Sequence, residues 1–428
     1  MKRCLKVGLI RQTLRNLPKT LDDTYSRIFS GIDEAYRQEA KSALIWLAFA
    51  ERPLQLEELA EATIIHPSSD PPFDPEERFP EPQNVLQILS SLVTVRGLEK
   101  GSCEENLGAY IWNDDDPWNS SSNPRPSATI TLAHYSVKEY LISDRIKQSG
   151  DQFFAINPTT SHAFIAESCL HYIMQYVNFS TTLGAWPADL QTLPLLDYTA
   201  RYWSTHINSM PQDDQMALNS LVLKLLLSAP YLPKWLQVHA RTNIISAFHR
   251  SRPLEFENIK VEQTLFYAVD LGLVHVTQEL LDRGSDPNAK DDYGETALHR
   301  VAINGNKPIA LMLLKSGASV DAVNGYCQTP LHWAAWSENY EMVDMLLAWG
   351  ADINAPNGGG ETALHYAASD HPKMLKFLLH EGAYHGVRSL RGETPLDWAV
   401  SDSARECVDA LLEADARATG ALGNMRSL

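Results

Sequence analysis

Residues 132–143, LAHYSVKEYLIS, bring together side chains that could perform acid–base or nucleophilic chemistry. A histidine close to a serine is the pairing that activates a hydroxyl nucleophile, and a lysine or glutamate can exchange a proton. The same letters match the capping box S-x-x-E, in which Ser136 and Glu139 satisfy the first amides of a helix. Helix capping therefore predicts a structural role for most of these residues. His134 is the exception, because it precedes the predicted helix and could face an anion there.

Known catalytic signatures are missing from the chain: it has no HExxH, GxSxG, dinucleotide-binding GxGxxG or P-loop GxxxxGK[ST] motif. The five cysteines are odd in number, widely spaced and without a CxxC pair, which favours a reducing compartment. No apolar run approaches the ~18 residues of a membrane span. The sequence predicts a cytoplasmic or nuclear protein that is not an enzyme, holds no cofactor and has no membrane partner.

Three histidines, His299, His332 and His365, recur every 33 residues and could form a metal array. They belong to a longer periodic pattern, because the segments QTLFYAV, ETALHRVA, QTPLHWAA, ETALHYAA and ETPLDWAV carry aligned leucines. The aligned leucines, at intervals of 33, 33, 33 and 32 residues, are Leu265, Leu298, Leu331, Leu364 and Leu396. Glycines keep the same period after the LLxx motifs, at Gly284, Gly317, Gly350 and Gly382.

This pattern resembles the ankyrin repeat, a turn followed by two antiparallel helices, over residues 261–420. Helix propensities agree with that resemblance. The threonine of each T-[AP]-L segment can cap a first helix, and the later glycine can end the second helix in a left-handed conformation. The resemblance implies that the periodic histidines join neighbouring repeats by hydrogen bonds, so we expect a structural role for them and no metal.

The resemblance also implies a concave protein-binding face made of the turns and the first helices. The residues expected there include exposed aromatics beside acids, a composition typical of binding hot spots. Trp333 and Trp398 could belong to this face or pack between helices. The predicted binding residues are Lys290, Asp292, Tyr293, Glu295, Ile303, Asn304, Tyr326, Gln328, Trp336, Ser337, Gly359, Glu361, Ser369 and Asp370.

The region before the repeats predicts helices interrupted by two long loops. Three helical segments up to residue 92 are followed by two extended runs, VTV and ATITLAH, with the polar loop 97–127 between them. A second loop, 66–82, is rich in proline. Three helices and then two strands is the order of a winged helix. Residues 151–260 have a helical pattern throughout, in which His162 and His171 lack a ligand at metal-binding spacing and are expected to be packed.

A winged helix raises the question of DNA binding through its third helix. The corresponding segment, residues 81–95, contains no lysine or arginine that could contact phosphates. The whole chain has a net charge of −17, and residues 263–420, with 11 basic and 22 acidic side chains, account for −11 of it. Such a field repels nucleic acid, so we expect protein partners and no nucleic-acid partner.

Five strings occur in a fixed order before the repeats, and they resemble the C-terminal portion of fungal NACHT-domain proteins, which are STAND NTPases related to NOD-like receptors. The strings are LPKTLDDTYSRIF, LAFAERPLQLEELAEA, ITLAHYSVKEYLIS, HAFIAESCLHYI and PLLDYTARYWSTHI. In that family a winged-helix histidine contacts the phosphates of bound nucleotide, which makes His134 a candidate relic of a nucleotide sensor. The alternative is a structural, hydrogen-bonded histidine. Because no P-loop is present, a NACHT core is expected to come from another chain.

The sequence thus predicts a mainly α protein with a small β wing, followed by a solenoid of about five ankyrin repeats. The expected segments are a NACHT-like end (1–35), a winged-helix-like domain (36–150), a helical linker domain (151–260), the repeats (261–420) and a tail (421–428). Its expected function is protein binding by an NLR-like regulatory fragment. The alternative is a stand-alone ankyrin adaptor in another cytosolic or nuclear pathway.

Overall fold

The computed structural model describes residues 20–96, 128–148, 150–179, 192–228, 231–242 and 264–418. The chain divides into two compact units, Met1–Leu254 and Glu255–Leu428, close to the predicted start of the repeats at residue 261. The finer partition of the first unit stays a prediction. The predicted loop 97–127 and the tail 421–428 lie outside the described residues.

The described part of the first unit consists of helices and one small sheet. Its helices are α1 (Leu21–Ser30), α2 (Arg37–Phe49), α3 (Leu56–Thr63), α4 (Asn84–Leu89), α5 (Tyr135–Ile142), α6 (Asp144–Gln148), α7 (Pro158–Phe179), α8 (Leu196–Asn208), α9 (Gln212–Gln215), α10 (Asn219–Leu227) and α11 (Tyr231–Thr242). Short 3-10 helices are Glu34–Tyr36, Pro75–Glu77, Ser90–Leu92, Gln152–Phe154 and Met216–Leu218. The strands are β1 (Leu54–Gln55), β2 (Val93–Arg96) and β3 (Thr129–Leu132).

The sheet is antiparallel with the order β1-β3-β2. Ile130 on the central strand is buried and lies opposite Leu54 on one side and Val95 on the other. Strand β1 has only two residues because α3 begins at Leu56, whose amide still donates to Ala128 O at 2.9 Å. The chain order is therefore α2, β1, α3, α4, β2, β3: three helices precede two strands as predicted, and the short strand β1 between α2 and α3 was not predicted.

Helix α1 begins with a capping box: Thr20 Oγ1 accepts the amide hydrogen of Asp23 at 3.1 Å, and the Asp23 carboxylate accepts the Thr20 amide hydrogen. Its apolar side packs against α5 and the 3-10 turn that contains Phe154. The Phe29 ring stacks on the ring of Tyr140, with centroids 6.1 Å apart, and on the ring of Phe154, with centroids 4.9 Å apart. After α1, a 3-10 turn at Glu34–Tyr36 leads directly into α2.

Two buried carboxylates in α3 connect this helix to distant parts of the first unit. Glu58 pairs with Arg52, which also reaches Asp197 at 3.3 Å on α8. Glu61 pairs with Arg78 and accepts the hydroxyl hydrogen of Tyr172 on α7 at 2.7 Å. Each carboxylate has an arginine partner, so its burial is compensated by charge-assisted hydrogen bonds.

The second unit contains five successive helix pairs among its described residues. The pairs are α12 (Thr264–Asp270) with α13 (Val274–Asp282), α14 (Ala297–Asn304) with α15 (Lys307–Lys315), α16 (Pro330–Trp336) with α17 (Tyr340–Ala348), α18 (Ala363–Asp370) with α19 (Pro372–His380), and α20 (Pro395–Ser401) with α21 (Arg405–Ala418). The first helices of neighbouring pairs pack against each other in a row.

Local sequence accounts for where these helices begin and end. The predicted threonines occupy the N-cap positions of α14, α16, α18 and α20, and the predicted glycines follow the second helices with φ of 91, 94, 90 and 98°. In the fifth pair Asp415 replaces that glycine, and α21 continues to Ala418. In the fourth pair one residue is missing, and His371 alone links α18 to α19. Among the described residues, no helix has the length and apolar character needed to cross a bilayer.

Candidate protein-binding surface

Backbone hydrogen bonds join the turns that precede successive helix pairs. These turn segments are residues 290–295, 323–328, 356–361 and 388–393. The three bonds between them run from Gly325 N to Tyr293 O (2.7 Å), from Gly358 N to Tyr326 O (2.8 Å) and from Leu390 N to Gly359 O (2.7 Å). A Cβ on Gly325 would lie 2.9 Å from the Tyr293 carbonyl oxygen, so the close approach of these two turns requires glycine. The bonds fix the spacing of the four turns.

The buried side chains of the periodic histidines form hydrogen bonds between each turn and the next, which confirms their predicted structural role. His299 Nδ1 accepts the amide hydrogen of Thr296 at 3.1 Å, and its Nε2 donates to Gln328 O at 2.9 Å. His332 and His365 repeat this arrangement one and two repeats later, with Nε2 bonds of 3.1 and 3.3 Å to the carbonyl oxygens of residues 361 and 393. Because Nδ1 accepts a backbone hydrogen, the neutral tautomer with the proton on Nε2 is required.

Burial keeps these imidazoles neutral. It lowers the pKa of His299 to about 4, and the main cause is loss of solvation of the charged form. Burial is also the first cause that lowers the pKa of His332 and of His365. Protonation of Nδ1 would remove the acceptor of the threonine amide, so the hydrogen bond between threonine and histidine forms only while the histidine is neutral.

We call the four turn segments and the solvent-facing sides of α14, α16, α18 and α20 the turn face. None of the predicted binding residues is buried. The exposed ones are Lys290, Asp292, Ile303, Asn304, Tyr326, Trp336 and Asp370. The half-buried ones are Tyr293, Glu295, Gln328, Ser337, Gly359, Glu361 and Ser369.

Several half-buried members already have partners within the second unit. The Gln328 amide donates to Tyr366 Oη at 2.7 Å, and the Glu361 carboxylate accepts Asn357 Nδ2 at 2.8 Å. Lys290 is exposed, but its ammonium donates to Val323 O at 2.8 Å. These side chains shape the turns, and a partner that uses them has to compete with intramolecular bonds.

Tyr326 and Trp336 are exposed aromatic side chains of the third repeat on the turn face. Tyr326 is 69% exposed at a turn tip and Trp336 is 44% exposed at the end of α16. Trp336 packs edge-on against Trp333, with ring centroids 6.0 Å apart, and Trp333 Nε1 has no hydrogen-bond partner among the described residues. Exposed aromatic side chains held by a rigid backbone are the usual anchors of a protein interface.

The two tryptophans whose role the sequence left open differ in their surroundings. Trp398 lies against the rings of His365 and Tyr366, with centroids 5.6 and 6.0 Å away, and its Nε1 donates to the Glu393 carboxylate at 3.3 Å. It therefore packs between the last two first helices. Trp333 is half-buried next to Trp336 and contributes to the turn face.

Sequence reasoning missed members of the turn face in the fifth repeat and one central arginine. Leu390, 82% exposed, and the exposed Arg391 occupy the turn positions that match Asp292 and Tyr293. The 33-residue alignment could have found both. Arg300 on α14 is almost buried, and it links two repeats by ion pairs of 2.6 Å to Asp270 and 2.7 Å to Asp291. Its partners are set by the tertiary structure and give no periodic signal.

His134 occupies a position different from the one that the capping box predicted. The prediction that Ser136 caps α5 is wrong: the helix begins at Tyr135 and His134 is the N-cap, with Nδ1 accepting the Ser136 amide hydrogen at 3.2 Å. The Ser136 hydroxyl forms hydrogen bonds with His134 Nδ1 and with Tyr25 Oη of α1, both at 2.6 Å. His134 is exposed, and its Nε2 carries the proton because Nδ1 is an acceptor.

A group of metal-binding residue types forms inside the first unit. The Glu51 carboxylate, His162 and His206 each offer one ligand atom within 4.8 Å of the others. His162 on α7 was expected to lack a ligand at metal-binding spacing, and its companions come from the turn after α2 and from the end of α8. His171, the other histidine in that prediction, is half-buried, and burial lowers its pKa.

Comparison with known proteins agrees with the architecture of the second unit. A family profile described as ankyrin repeats (3 copies) matches residues 265–357 and 355–420. The C-terminal region contains ankyrin repeats. Ankyrin repeats indicate protein partners.

A curated fungal protein is similar to a larger part of the chain. The "Azaphilone pigments biosynthesis cluster protein L" of Monascus ruber is 28% identical over 313 residues, which cover 70% of this chain and 60% of that protein. The chain therefore spans about 60% of the length of this relative.

Proposed function

We propose that this protein is a non-catalytic interaction protein that binds a protein partner through the turn face of its ankyrin repeats. The observation that carries the proposal is the pair of exposed aromatic side chains, Tyr326 and Trp336, on turns and helices fixed by backbone and histidine hydrogen bonds. A preorganised aromatic anchor loses little conformational entropy on binding. The acidic charges near it, including Asp292 and Asp370, favour a partner with basic side chains at its rim.

The test is quantitative affinity capture with the full chain from the source cells. The double variant Tyr326→Ala with Trp336→Ala is expected to lose its specific partners by at least about tenfold, since hot-spot truncations cost ~2 kcal/mol or more. Trp349→Ala is the matched control, because Trp349 is 43% exposed but follows the second helix of the same repeat. An unchanged set of partners in the double variant would refute the role of the turn face.

We further propose that residues 36–150 form a winged-helix-like domain of NLR-like type that contacts a NACHT NTPase core supplied by another chain. Support comes from the order α2, β1, α3, α4, β2, β3 and from the sheet order β1-β3-β2, both expected of a winged helix. His134 supports the proposal as well. His134 is exposed at the N-terminus of an eight-residue helix, where its Nε2–H group can donate to a phosphate.

Two variants separate this role of His134 from simple helix capping. His134→Asn keeps an N-cap side chain and removes the imidazole, whereas His134→Ala removes both and costs about 0.5–2 kcal/mol in stability. If His134 contacts nucleotide, both variants weaken binding of the full chain to an ADP-loaded fungal NACHT domain. Binding by His134→Asn that equals wild type would leave only the capping role.

The second candidate function is a stand-alone ankyrin adaptor in another cytosolic or nuclear pathway. The relative from Monascus ruber carries a name that links it to a pigment biosynthesis cluster, which favours an adaptor for biosynthetic proteins over a receptor. The two candidates share the turn face and differ in the first unit. A partner identified by capture that contains a NACHT domain supports the first, and captured biosynthetic enzymes support the second.

A further inference from the structure

We propose that Glu51, His162 and His206 bind a divalent transition metal ion of the Zn²⁺ class inside the first unit. The two imidazoles face each other through the same atom, with His162 Nδ1 and His206 Nδ1 2.9 Å apart. One ring nitrogen of each histidine and a Glu51 carboxylate oxygen all lie within 4.8 Å of one another. Two imidazole nitrogens and one carboxylate form a donor set that Zn²⁺ accepts, with a fourth position left for water.

The distance between the two imidazoles requires only a small adjustment. Zn–N bonds of about 2.0–2.1 Å in a tetrahedral site place two nitrogens roughly 3.3 Å apart. The observed separation between the two Nδ1 atoms is 2.9 Å, so the rings need to part by roughly 0.4 Å. His162 lies near the start of α7 and His206 near the end of α8, two helices that pack closely, and this contact holds both rings in place.

The surroundings of His206 match those of a metal-ligating histidine. His206 is fully buried, and its Nε2 hydrogen-bonds to Tyr198 Oη at 2.8 Å. A metal ligand that coordinates through one ring nitrogen normally donates its other N–H to such a partner. Tyr198 Oη also accepts the Glu51 amide hydrogen at 2.9 Å, so the same hydroxyl orients the backbone of the third ligand.

Tyr198, His206 and His162 can form a consistent set of hydrogen bonds both without and with a bound metal ion. Without metal, one of the two facing Nδ1 atoms donates its hydrogen to the other, and His206 Nε2 shares one hydrogen bond with Tyr198 Oη. With metal, the His206 proton moves to Nε2 and is donated to Tyr198 Oη, which frees the Nδ1 lone pair. Because a tyrosine hydroxyl can donate or accept, the change breaks no buried hydrogen bond apart from the one between the histidines.

Charges around the site leave the Glu51 carboxylate available. The neighbouring Arg52 is committed to Glu58 and Asp197. Lys138 is the cation near His162, and its ammonium donates to Ala48 O and lies 4.5 Å from the centre of the Phe49 ring. The Glu51 carboxylate is exposed and makes no hydrogen bond or ion pair among the described residues, so a metal ion could reach it from solvent.

The experiment is titration of the metal-stripped full chain with Zn²⁺ by calorimetry and with Co²⁺ by visible absorption, which reports coordination geometry. We expect one saturable site, with affinity at least tenfold lower in His162→Gln and in Glu51→Gln. His171→Gln, which removes a half-buried histidine further along α7, should bind as wild type does. Glu51 is exposed, so Glu51→Gln decides the result even if the histidine variant fails to fold.

Two outcomes would overturn the proposal. One is a wild-type chain that shows no saturable binding. The other is binding with the same affinity in Glu51→Gln and His162→Gln, which would locate the ion elsewhere. Neither outcome depends on the turn face, so the protein-binding proposal would stand or fall separately.

Discussion

The stability of the repeats should depend on pH through His299. Its pKa is about 4 in the folded protein, against 6.5 for an ordinary histidine, because burial disfavours the charged form. A lowered folded pKa means that the unfolded state binds more protons between these two values. The stabilising contribution is therefore complete above pH 6.5 and is lost as the pH falls towards 4. With about 1.4 kcal/mol for each pKa unit, acidification from about pH 7 to about pH 5 costs ~2 kcal/mol at this one residue.

The assay is urea unfolding of the full chain at the two pH values, followed by tryptophan fluorescence, for wild type and His299→Gln. Glutamine can still donate to Gln328 O but does not titrate, so the loss of stability on acidification should be about 2 kcal/mol smaller in the variant. Ile309→Val controls for general destabilisation, since removing one buried methyl group costs about 0.5–1.5 kcal/mol at both pH values. Equal pH sensitivity of wild type and His299→Gln would refute the reasoning.

Two further perturbations test the packing of the turns and of the first unit by urea unfolding. Gly325→Ala adds a Cβ 2.9 Å from a carbonyl oxygen of the preceding turn and should lower stability by about 1–3 kcal/mol. Gly150→Ala, where the Cβ meets nothing within 4 Å, should cost far less. Arg52→Met leaves the 3% exposed Glu58 carboxylate unpaired and should cost about 3–5 kcal/mol. Arg417→Met removes an exposed ion pair and should change stability by less than ~1 kcal/mol. A similar cost for the two arginine variants would contradict the burial argument.

The repeats were predictable because their determinants are short-range. A threonine that caps a helix, a histidine three residues later and a glycine after the second helix all act within one 33-residue unit. The carbonyl that each histidine reaches is itself at a fixed distance along the chain, 29 residues for His299 and His332. Periodicity therefore specified the secondary structure and one class of tertiary contact at the same time.

The start of α5 was not predictable, because Ser136, the N-cap expected from the sequence, forms a hydrogen bond with a distant helix in place of capping α5. The S-x-x-E pattern at Ser136 satisfies the local rule. In the fold, the Ser136 hydroxyl bonds to Tyr25, 111 residues earlier, and to the His134 ring. His134 then takes the N-cap position, two residues before the predicted N-cap Ser136. A local motif gives the correct element here and the wrong boundary, since the competing partner lies on another helix.

The two sets of histidines differ in whether a nitrogen lone pair is available to a metal ion. In the repeats, Nδ1 accepts the threonine amide and Nε2 donates to a carbonyl oxygen, as at His299, so neither nitrogen can ligate without breaking a bond between or within turns. His162 and His206 instead use their Nδ1 atoms on each other, and parting them frees both for one ion. Regular spacing along the sequence suggested a metal array at the periodic histidines, but the resemblance to ankyrin repeats already implied a structural role for them. His162 and His206 are 44 positions apart, and the sequence carries no signal of their contact, which exists only because α7 and α8 pack together.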